Sequence, residues 1–362
     1  MSILLLALRR LGDVLLATPL LRSLRRAYPE ATIDVMVYAG QEGILEGNPD
    51  CNAVIGVEPY PGRAGYARLL RRMWRRYELA VTTQAGDRSH AYAWLFARRR
   101  VGLVPHLGWS SAWKRASCSA YAVLDDVNTH TVVQNLVLAD LLGIARQYEV
   151  VPPDVVPLGG EEETRIQGRY AVLHPYPKFA YKHWTPEGWL RFIAWLERRG
   201  LRVVLSGSAD PEEKAYNARL ASATVVDLTG RLRLAELSAL YRKARLFVGP
   251  DTSTTHLAAA CGVRTLALFG PTNPVKWGPW PAGYDPGIHR SPYRRLARPW
   301  QHVGNVLLLQ GVQPADLGRC LPCHQEGCAR HVASFSRCLT EMALEPVAAA
   351  ADELLRTQPS QS

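Results

Sequence analysis

The order of strand-like and helix-like segments constrains the fold of this chain more than any other feature of its sequence. In the first part, short runs rich in apolar and β-branched residues alternate with segments whose apolar residues have helical spacing. Strands are predicted at residues 3–8, 32–38, 53–57 and 79–83, and helices include 14–27 and 129–142. This rhythm predicts a parallel sheet with helices on both faces.

The alternation stops near residue 151 and then restarts. Residues 151–163 hold three prolines, a Gly-Gly pair and three glutamates, which is the composition of a linker. The strands predicted beyond it are 170–174, 202–206, 225–228, 246–249 and 265–269, separated by helices at 187–199, 211–221, 234–243 and 253–261. We therefore predict an α/β protein with two domains in series, 1–155 and 156–338, and a ligand cleft near the carboxyl ends of their strands. A last helix, 339–356, is predicted to pack back on the first domain, and 357–362 to form a disordered tail.

Length and charge narrow the class of protein. The 362 residues suit two domains, and no apolar run reaches the roughly 18 residues that a membrane span needs. The apolar start at 3–8 has no basic segment before it, so it predicts a buried strand in a cytoplasmic protein and not a secretory signal. The net charge of +11 favours anionic partners. Its densest run, Arg68–Arg76, is either a solvated helix face with one buried stripe or a surface for an acceptor or the inner membrane.

Three segments carry candidate chemistry. Gly12 and Asp13 follow the first strand, where Asp13 is either a helix N-cap or a general base facing the cleft. Lys182 follows the first strand of the second domain and is either a solvated lysine or a cation for a diphosphate. The strongest segment runs from Asp251 to His256, where a strand ends and a helix with hydroxyls in its first turn begins, which is the setting of an anion site. Ordinary capping and a buried histidine are the alternative there.

Seven cysteines are present, and four of them cluster in one segment near the carboxyl end. These are Cys320, Cys323, Cys328 and Cys338. The spacing is typical of a structural tetrahedral zinc or iron site, and disulfides are disfavoured in the cytoplasm. Free thiols, a redox pair, or a site in which His324 or His331 replaces one sulfur remain open.

Taken together and in order, four motifs resemble those of glycosyltransferase family 9, the bacterial lipopolysaccharide heptosyltransferases. They are Gly12-Asp13-Val14 with Thr18-Pro19, Lys182-His183-Trp184, Asp251-Thr252 with His256, and Gly270-Pro271-Thr272. The resemblance covers nearly the whole chain and implies the GT-B architecture, two Rossmann-like domains facing a central cleft. The acceptor would bind the first domain and the ADP-sugar the second.

The resemblance also implies a mechanism. The sugar is transferred with inversion and without a catalytic metal, and Asp13 takes the proton from the acceptor hydroxyl. Lys182, Thr252 and Ser253 stabilise the departing diphosphate. The remaining implied roles are ribose binding by Glu212, donor binding by Asp251 and His256, and acceptor binding by Arg9 and Arg10. Many relatives also carry a cysteine cluster near the carboxyl end.

This chain departs from the family at two places, and other functions remain open. Ser253 stands where glycine is common, and Arg9-Arg10 replaces small hydroxyl residues, so the donor pose and the acceptor can differ. One alternative is a family member that uses another nucleotide sugar or a protein acceptor. Another is a nucleotide-sugar epimerase or hydrolase of the same fold. A nucleic-acid partner is not expected, because the motifs line a cleft and not one exposed face.

Overall fold

The computed structural model describes residues 1–287, 289–295, 300–316 and 320–356. Two compact units divide the chain between Asp154 and Val155, inside the segment with linker composition. Unit 1 comprises Met1–Asp154 together with Asp285–Ser291, and unit 2 comprises Val155–Tyr284 and the described residues from Pro292 onwards. The tail predicted at 357–362 lies outside the described residues.

Unit 1 is built on a six-stranded parallel sheet. Its strands are β1 (Ser2–Leu6), β2 (Thr32–Tyr38), β3 (Ala53–Val57), β4 (Tyr77–Thr82), β5 (Ala97–Val104) and β6 (Ala120–Val123). Its helices are α1 (Leu11–Leu15), α2 (Thr18–Ala27), α3 (Arg63–Met73), α4 (Asp87–Phe96), α5 (Ala112–Ser117) and α6 (Thr131–Leu142), with short 3₁₀ turns at Glu42–Leu45 and Trp109–Ser111. The strand order β3-β2-β1-β4-β5-β6 is that of the Rossmann fold.

Both faces of this sheet are covered by helices. Met73 of α3 and Tyr92 and Phe96 of α4 pack into one cluster with Leu4 and Leu6 of β1. Because side chains alternate along a strand, the neighbours of Leu4 and Leu6 point to the other face, where α2 and α6 pack against each other. The layers α3–α4–α5 and α2–α6 therefore enclose a sheet that is buried on both sides.

Unit 2 has a seven-stranded sheet. Its strands are β7 (Tyr170–Leu173), β8 (Arg202–Leu205), β9 (Val226–Asp227), β10 (Leu246–Pro250), β11 (Thr265–Phe269), β12 (Trp300–Val303) and β13 (Val306–Gln310). The helices are α7 (Gly160–Arg165), α8 (Pro186–Glu197), α9 (Pro211–Ala218), α10 (Leu234–Lys243), α11 (Ser253–Ala260), α12 (Pro274–Trp277), α13 (Arg337–Thr340) and α14 (Leu344–Arg356), and Ala180–Lys182 is a 3₁₀ turn. The order β9-β8-β7-β10-β11-β13-β12 repeats the Rossmann order and ends in one antiparallel strand.

Three sequence-based expectations about helices were wrong. The helix predicted at 14–27 is two helices, and the second has Pro19 in its first turn, where a missing N–H costs no hydrogen bond. The helix predicted at 339–356 is likewise split into α13 and α14. The apolar face of α14, including Val347 and Leu354, joins the core of unit 2 beside Trp189. The helix expected at Arg68–Arg76 ends at Met73, where the chain turns out and Arg75 takes a φ of 48°. Within the described ranges, no helix is long and apolar enough to span a membrane.

Candidate active site

The two sheets have the same switch point. In unit 2, β7 lies between β8 and β10, and in unit 1, β1 lies between β2 and β4. The chain leaves these neighbouring strands in opposite directions, so a crevice opens at their carboxyl ends, where α/β proteins bind ligands. The predicted site residues of each unit follow these strands.

In unit 2, a lysine and an aspartate meet at the switch point. Lys182 ends the 3₁₀ turn after β7, and Asp251 directly follows β10. The Lys182 Nζ atom lies 2.5 Å from Asp251 Oδ2 and also donates to the Asp251 backbone oxygen at 3.1 Å. Asp251 is buried and Lys182 is largely so. A cation and a carboxylate removed from water compensate one another, so the site carries a paired charge.

His256 completes this group from the first turn of α11. Its Nε2 atom lies 4.0 Å from Asp251 Oδ1, and the whole side chain is buried. Burial lowers the pKa of His256 to about 4, although the Asp251 charge raises it and the Lys182 charge lowers it further. The imidazole is therefore neutral near pH 7. Its Nδ1 atom is buried and has no hydrogen-bond partner within the described residues.

The start of α11 lies beside the ion pair. Thr252 is the N-cap residue, but its side chain does not cap the helix. Its hydroxyl lies instead 2.8 Å from the Thr254 hydroxyl and 3.1 Å from that of Thr255, which donates to the Pro250 carbonyl at 2.5 Å. Simple capping by Thr252 is thus wrong as an account of this segment. The hydroxyls of Thr252, Thr254 and Thr255 therefore lie together at the positive, N-terminal end of α11, next to its first residue, Ser253.

Two neighbouring glutamates lie at the start of α9. Glu212 is exposed and accepts a hydrogen bond of 3.0 Å from the Tyr176 hydroxyl. Glu213 is buried, accepts from the Ser208 hydroxyl, and has Oε1 3.7 Å from His174 Nε2. The structure thus places Glu212 at the surface of the crevice and Glu213 beneath it.

Sequence reasoning gave no individual role to the residues that support this edge. His174 and Ser206 follow β7 and β8, with His174 Nδ1 3.3 Å from the Ser206 hydroxyl. Burial lowers the pKa of His174, although Glu213 raises it. The available signal was a polar residue at the end of two successive buried strands. The ring of Tyr176 also packs edge-on against His183, with 4.8 Å between centroids. Such contacts leave no periodic trace in a sequence.

In unit 1, Asp13 lies at the switch point after β1. The N-cap of α1 is Arg10, and Asp13 is the third residue of the helix, so the N-cap interpretation of Asp13 is wrong. Its carboxylate is mostly buried, and its Oδ1 lies 3.5 Å from Arg9 Nη1. Arg9 and Arg10 are exposed. The structure therefore brings together Asp13 and Arg9 within unit 1, and Lys182, Asp251, Thr252, Ser253 and His256 within unit 2.

The structure describes all four clustered cysteines, and each is a free cysteine. Among the residues that the structure describes, no group of three or more His, Cys, Asp or Glu side chains is placed so that it could hold a metal ion. Cys320 Sγ accepts from the Gln313 side-chain amide at 3.1 Å, and Cys328 Sγ from the backbone N–H of Arg337 at 3.4 Å. Burial, together with the three other thiols, raises the pKa of Cys338 to about 12. A structural zinc or iron at these cysteines stays a prediction.

Comparison with known proteins places the chain in a family. The family model described as glycosyltransferase family 9 (heptosyltransferase) matches residues 69–285, more than half of the chain. A lipopolysaccharide heptosyltransferase 3 of Escherichia coli is 28% identical over 326 residues, covering 84% of this chain and 94% of the relative. Lipopolysaccharide heptosyltransferase 1 of Pseudomonas aeruginosa is 32% identical over 295 residues, covering 76% and 80%.

Solved structures give the same result for the fold. The structure of E. coli ADP-heptose lipopolysaccharide heptosyltransferase II matches with a TM-score of 0.70 at 21% identity, covering 98% of both chains. This likeness confirms the predicted GT-B fold class of two Rossmann-like domains. The matched motifs and the shared fold agree. This chain is an enzyme of glycosyltransferase family 9, the heptosyltransferases.

Proposed function

We propose that this enzyme transfers a heptose or a related sugar from an ADP-sugar to a lipopolysaccharide core or another glycan, with inversion at the anomeric carbon. The group of Lys182, Asp251 and His256 beside the first turn of α11 carries this proposal. The relatives from E. coli and P. aeruginosa, both lipopolysaccharide heptosyltransferases, support it. The reaction takes place in the cytoplasm, at the inner face of the membrane that holds a glycolipid acceptor.

Donor binding begins with an exchange of partners at Lys182. In the free enzyme its ammonium group is paired with Asp251. A diphosphate brings more negative charge than one carboxylate, so Lys182 turns to the phosphates together with the hydroxyls of Thr252 and Ser253 at the positive end of α11. The released Asp251 carboxylate accepts from sugar hydroxyls, His256 lines the same pocket, and Glu212 accepts from the ribose. One buried ion pair thus prepares the site for an anion.

The proposed transfer step gives each of these groups a role. The acceptor oxygen forms a bond to the anomeric carbon while the bond from that carbon to the β-phosphate oxygen breaks. Asp13 takes the proton of the acceptor hydroxyl, and the bonding electrons leave with ADP. Arg9 and Arg10 bind negative groups of the acceptor. Lys182 and the α11 dipole stabilise the charge that grows on the diphosphate, so the step needs no catalytic metal.

A nucleotide screen tests this proposal. Thermal unfolding is followed with ADP, UDP or GDP in the presence of EDTA. We expect ADP to stabilise the protein, since a ligand at 100 times its dissociation constant adds about 2.7 kcal/mol. Lys182→Ala should weaken ADP binding about tenfold to a hundredfold, because it removes a charged hydrogen bond to phosphate.

The matched control for Lys182→Ala is Lys243→Ala. Lys243 lies in unit 2 and pairs with Glu163 at 3.0 Å, but it is exposed. Each variant is compared with its own ligand-free midpoint, because Lys182→Ala also leaves the buried Asp251 without its cation. The proposal fails if no nucleoside diphosphate shifts the midpoint, or if both variants bind ADP like the parent enzyme.

A further inference from the structure

Helix α3 of unit 1 lies on the surface with almost none of its side chains buried. Of its eleven residues, Met73 alone is buried, and Leu69 is half-buried. A helix of this length is marginal in water without a packed face. The sequence predicted that Leu70 and Trp74 also belong to a buried stripe. They do not, which leaves apolar surface that the fold itself does not use.

The uncovered side chains form one stripe. Tyr66, Leu70 and Trp74 are spaced four residues apart, so they follow one side of the helix and its cap, with exposed fractions of 43%, 37% and 53%. Trp94 of α4 is 47% exposed. The Arg75 guanidinium carbon lies 5.8 Å from the ring centre of Trp74 and 6.0 Å from that of Trp94. A cation thus joins two exposed tryptophans into one surface.

The same segment is strongly basic. No acidic residue lies between Pro59 and Tyr77, whereas this stretch contains six arginines. They are Arg63, Arg68, Arg71, Arg72, Arg75 and Arg76, all exposed. Exposed tryptophan, tyrosine and leucine beside arginine is the pattern of a helix that lies in the headgroup region of a bilayer.

Exposed tryptophans also lie elsewhere in this helical layer. α4 contacts both α3 and α5, and Trp109 and Trp113 next to and within α5 are exposed, Trp109 to 95%. In the opposite layer, which the structure describes throughout, neither α2 nor α6 has an exposed large apolar side chain. Of the two helical layers of unit 1, the layer α3–α4–α5 therefore carries the exposed large apolar side chains.

We propose that the surface formed by α3, Trp74, Arg75 and Trp94 docks the enzyme on anionic phospholipid. The arginines contact lipid phosphates, and the aromatic rings and Leu70 enter the headgroup region. This inference rests on the proposed function in one respect, which is that a glycolipid acceptor is held in a membrane. A second copy of the chain does not suit this surface, because a symmetric interface would bring six arginines against six arginines.

Vesicle sedimentation tests the proposal with the full-length enzyme and no nucleotide. Vesicles of phosphatidylcholine alone are compared with vesicles that contain phosphatidylglycerol, across a range of salt concentrations. We expect binding to the anionic vesicles only, declining as salt screens the arginines. Tryptophan emission should shift to shorter wavelength on binding, because Trp74 and Trp94 leave water.

Two variants and a control separate charge from apolar contact. Arg71→Glu with Arg72→Glu should lower the partition coefficient more than tenfold, since each arginine near the surface contributes about fivefold. Trp74→Ala with Trp94→Ala should lower it several-fold and reduce the emission shift. Arg191→Glu with Arg198→Glu makes the same charge change on exposed positions of unit 2 and should leave binding unchanged. Circular dichroism verifies that each variant is folded.

Three results would overturn the proposal. One is no binding to anionic vesicles at low salt. Another is vesicle binding that is lost in Arg191→Glu with Arg198→Glu as much as in the α3 variant, or kept in full by the tryptophan variant, which would indicate general attraction to polyanions such as nucleic acid. The third is a concentration-dependent oligomer in which the tryptophans are shielded. ADP binding is measured in parallel: an enzyme that binds ADP but no vesicle contradicts this inference alone, and the reverse contradicts the proposed function alone.

Discussion

In both units of this enzyme the first strand lies between the second and the fourth, so each sheet has its switch point at the same place. What the sequence puts there differs. Unit 1 has one carboxylate, Asp13, next to an exposed arginine. Unit 2 has a buried lysine–aspartate pair with a neutral histidine. One topology therefore presents a single acidic group in one unit and a compensated cation in the other.

The outer surfaces of the two units also differ. In unit 2, α14 covers the core with side chains that pack beside Trp189. Among the described residues of this unit, Phe335 is the one phenylalanine, tyrosine or tryptophan whose side chain is exposed. Unit 1 leaves Tyr66, Trp74 and Trp94 uncovered. The same Rossmann frame therefore carries a buried ion pair at the switch point of one unit and an exposed aromatic surface on the other.

Removal of the carboxylate of unit 1 should have the greatest consequence for activity. Asp13→Asn keeps the size of the side chain and cannot accept a proton, so we expect kcat to fall about a thousandfold, within the range of general-base catalysis. ADP affinity should stay within about twofold, because the proposed nucleotide site belongs to unit 2. Steady-state kinetics and ADP titration measure the two effects.

The control for this variant is Asp87→Asn. Asp87 also lies in unit 1 and pairs with Lys114 at 2.8 Å, but it is exposed and starts α4. It should leave kcat nearly unchanged. If Asp13→Asn were as active as the parent, or if it lost ADP binding together with turnover, the division of roles between the units would be wrong.

Part of the fold and of the two switch points could be predicted from the sequence. The strand–helix rhythm predicted the central strands of both sheets, because buried parallel strands are nearly continuous apolar runs. Strand β5 was missed because three arginines, Arg98-Arg99-Arg100, follow its first residue. Strand β6 was missed because it is short and half-exposed. The pairing of Lys182 with Asp251 joins residues 69 positions apart. Such a contact depends on three-dimensional packing, so only their position after adjacent strands was predictable.

Acid sensitivity is the second test, and it concerns the buried His256 of unit 2. Burial lowers the pKa of His256 to about 4, below its value of 6.5 in the unfolded chain. Between these pH values the unfolded chain binds a proton that the folded enzyme does not, so the free energy of unfolding falls as the pH drops from 6.5 to 4. One such group contributes up to about 3 kcal/mol. His183 behaves alike, with its pKa lowered to about 4 by burial.

Denaturant unfolding at pH 7 and at pH 4.5 measures this effect. We expect His256→Asn to reduce the loss of stability between the two pH values by about 2 kcal/mol. His331→Asn is the control, because His331 is exposed. If the parent enzyme and the His256→Asn variant had the same pH dependence of stability, His256 would not be held neutral in the folded state. The neutral histidine would then no longer distinguish the switch point of unit 2 from that of unit 1.

The smallest expected effect comes from Tyr176→Phe, which keeps the ring and removes the hydroxyl that donates to Glu212 at 3.0 Å. A hydrogen bond to a partly exposed carboxylate contributes about 1 kcal/mol, so we expect ADP to bind about fivefold more weakly. Tyr216→Phe is the matched control: its ring lies 5.3 Å from that of Tyr176, but its hydroxyl donates to the Trp184 carbonyl at 3.2 Å. It should leave ADP affinity unchanged. Equal losses in the two variants would mean that aromatic packing, and not the orientation of Glu212, supports the nucleotide site of unit 2.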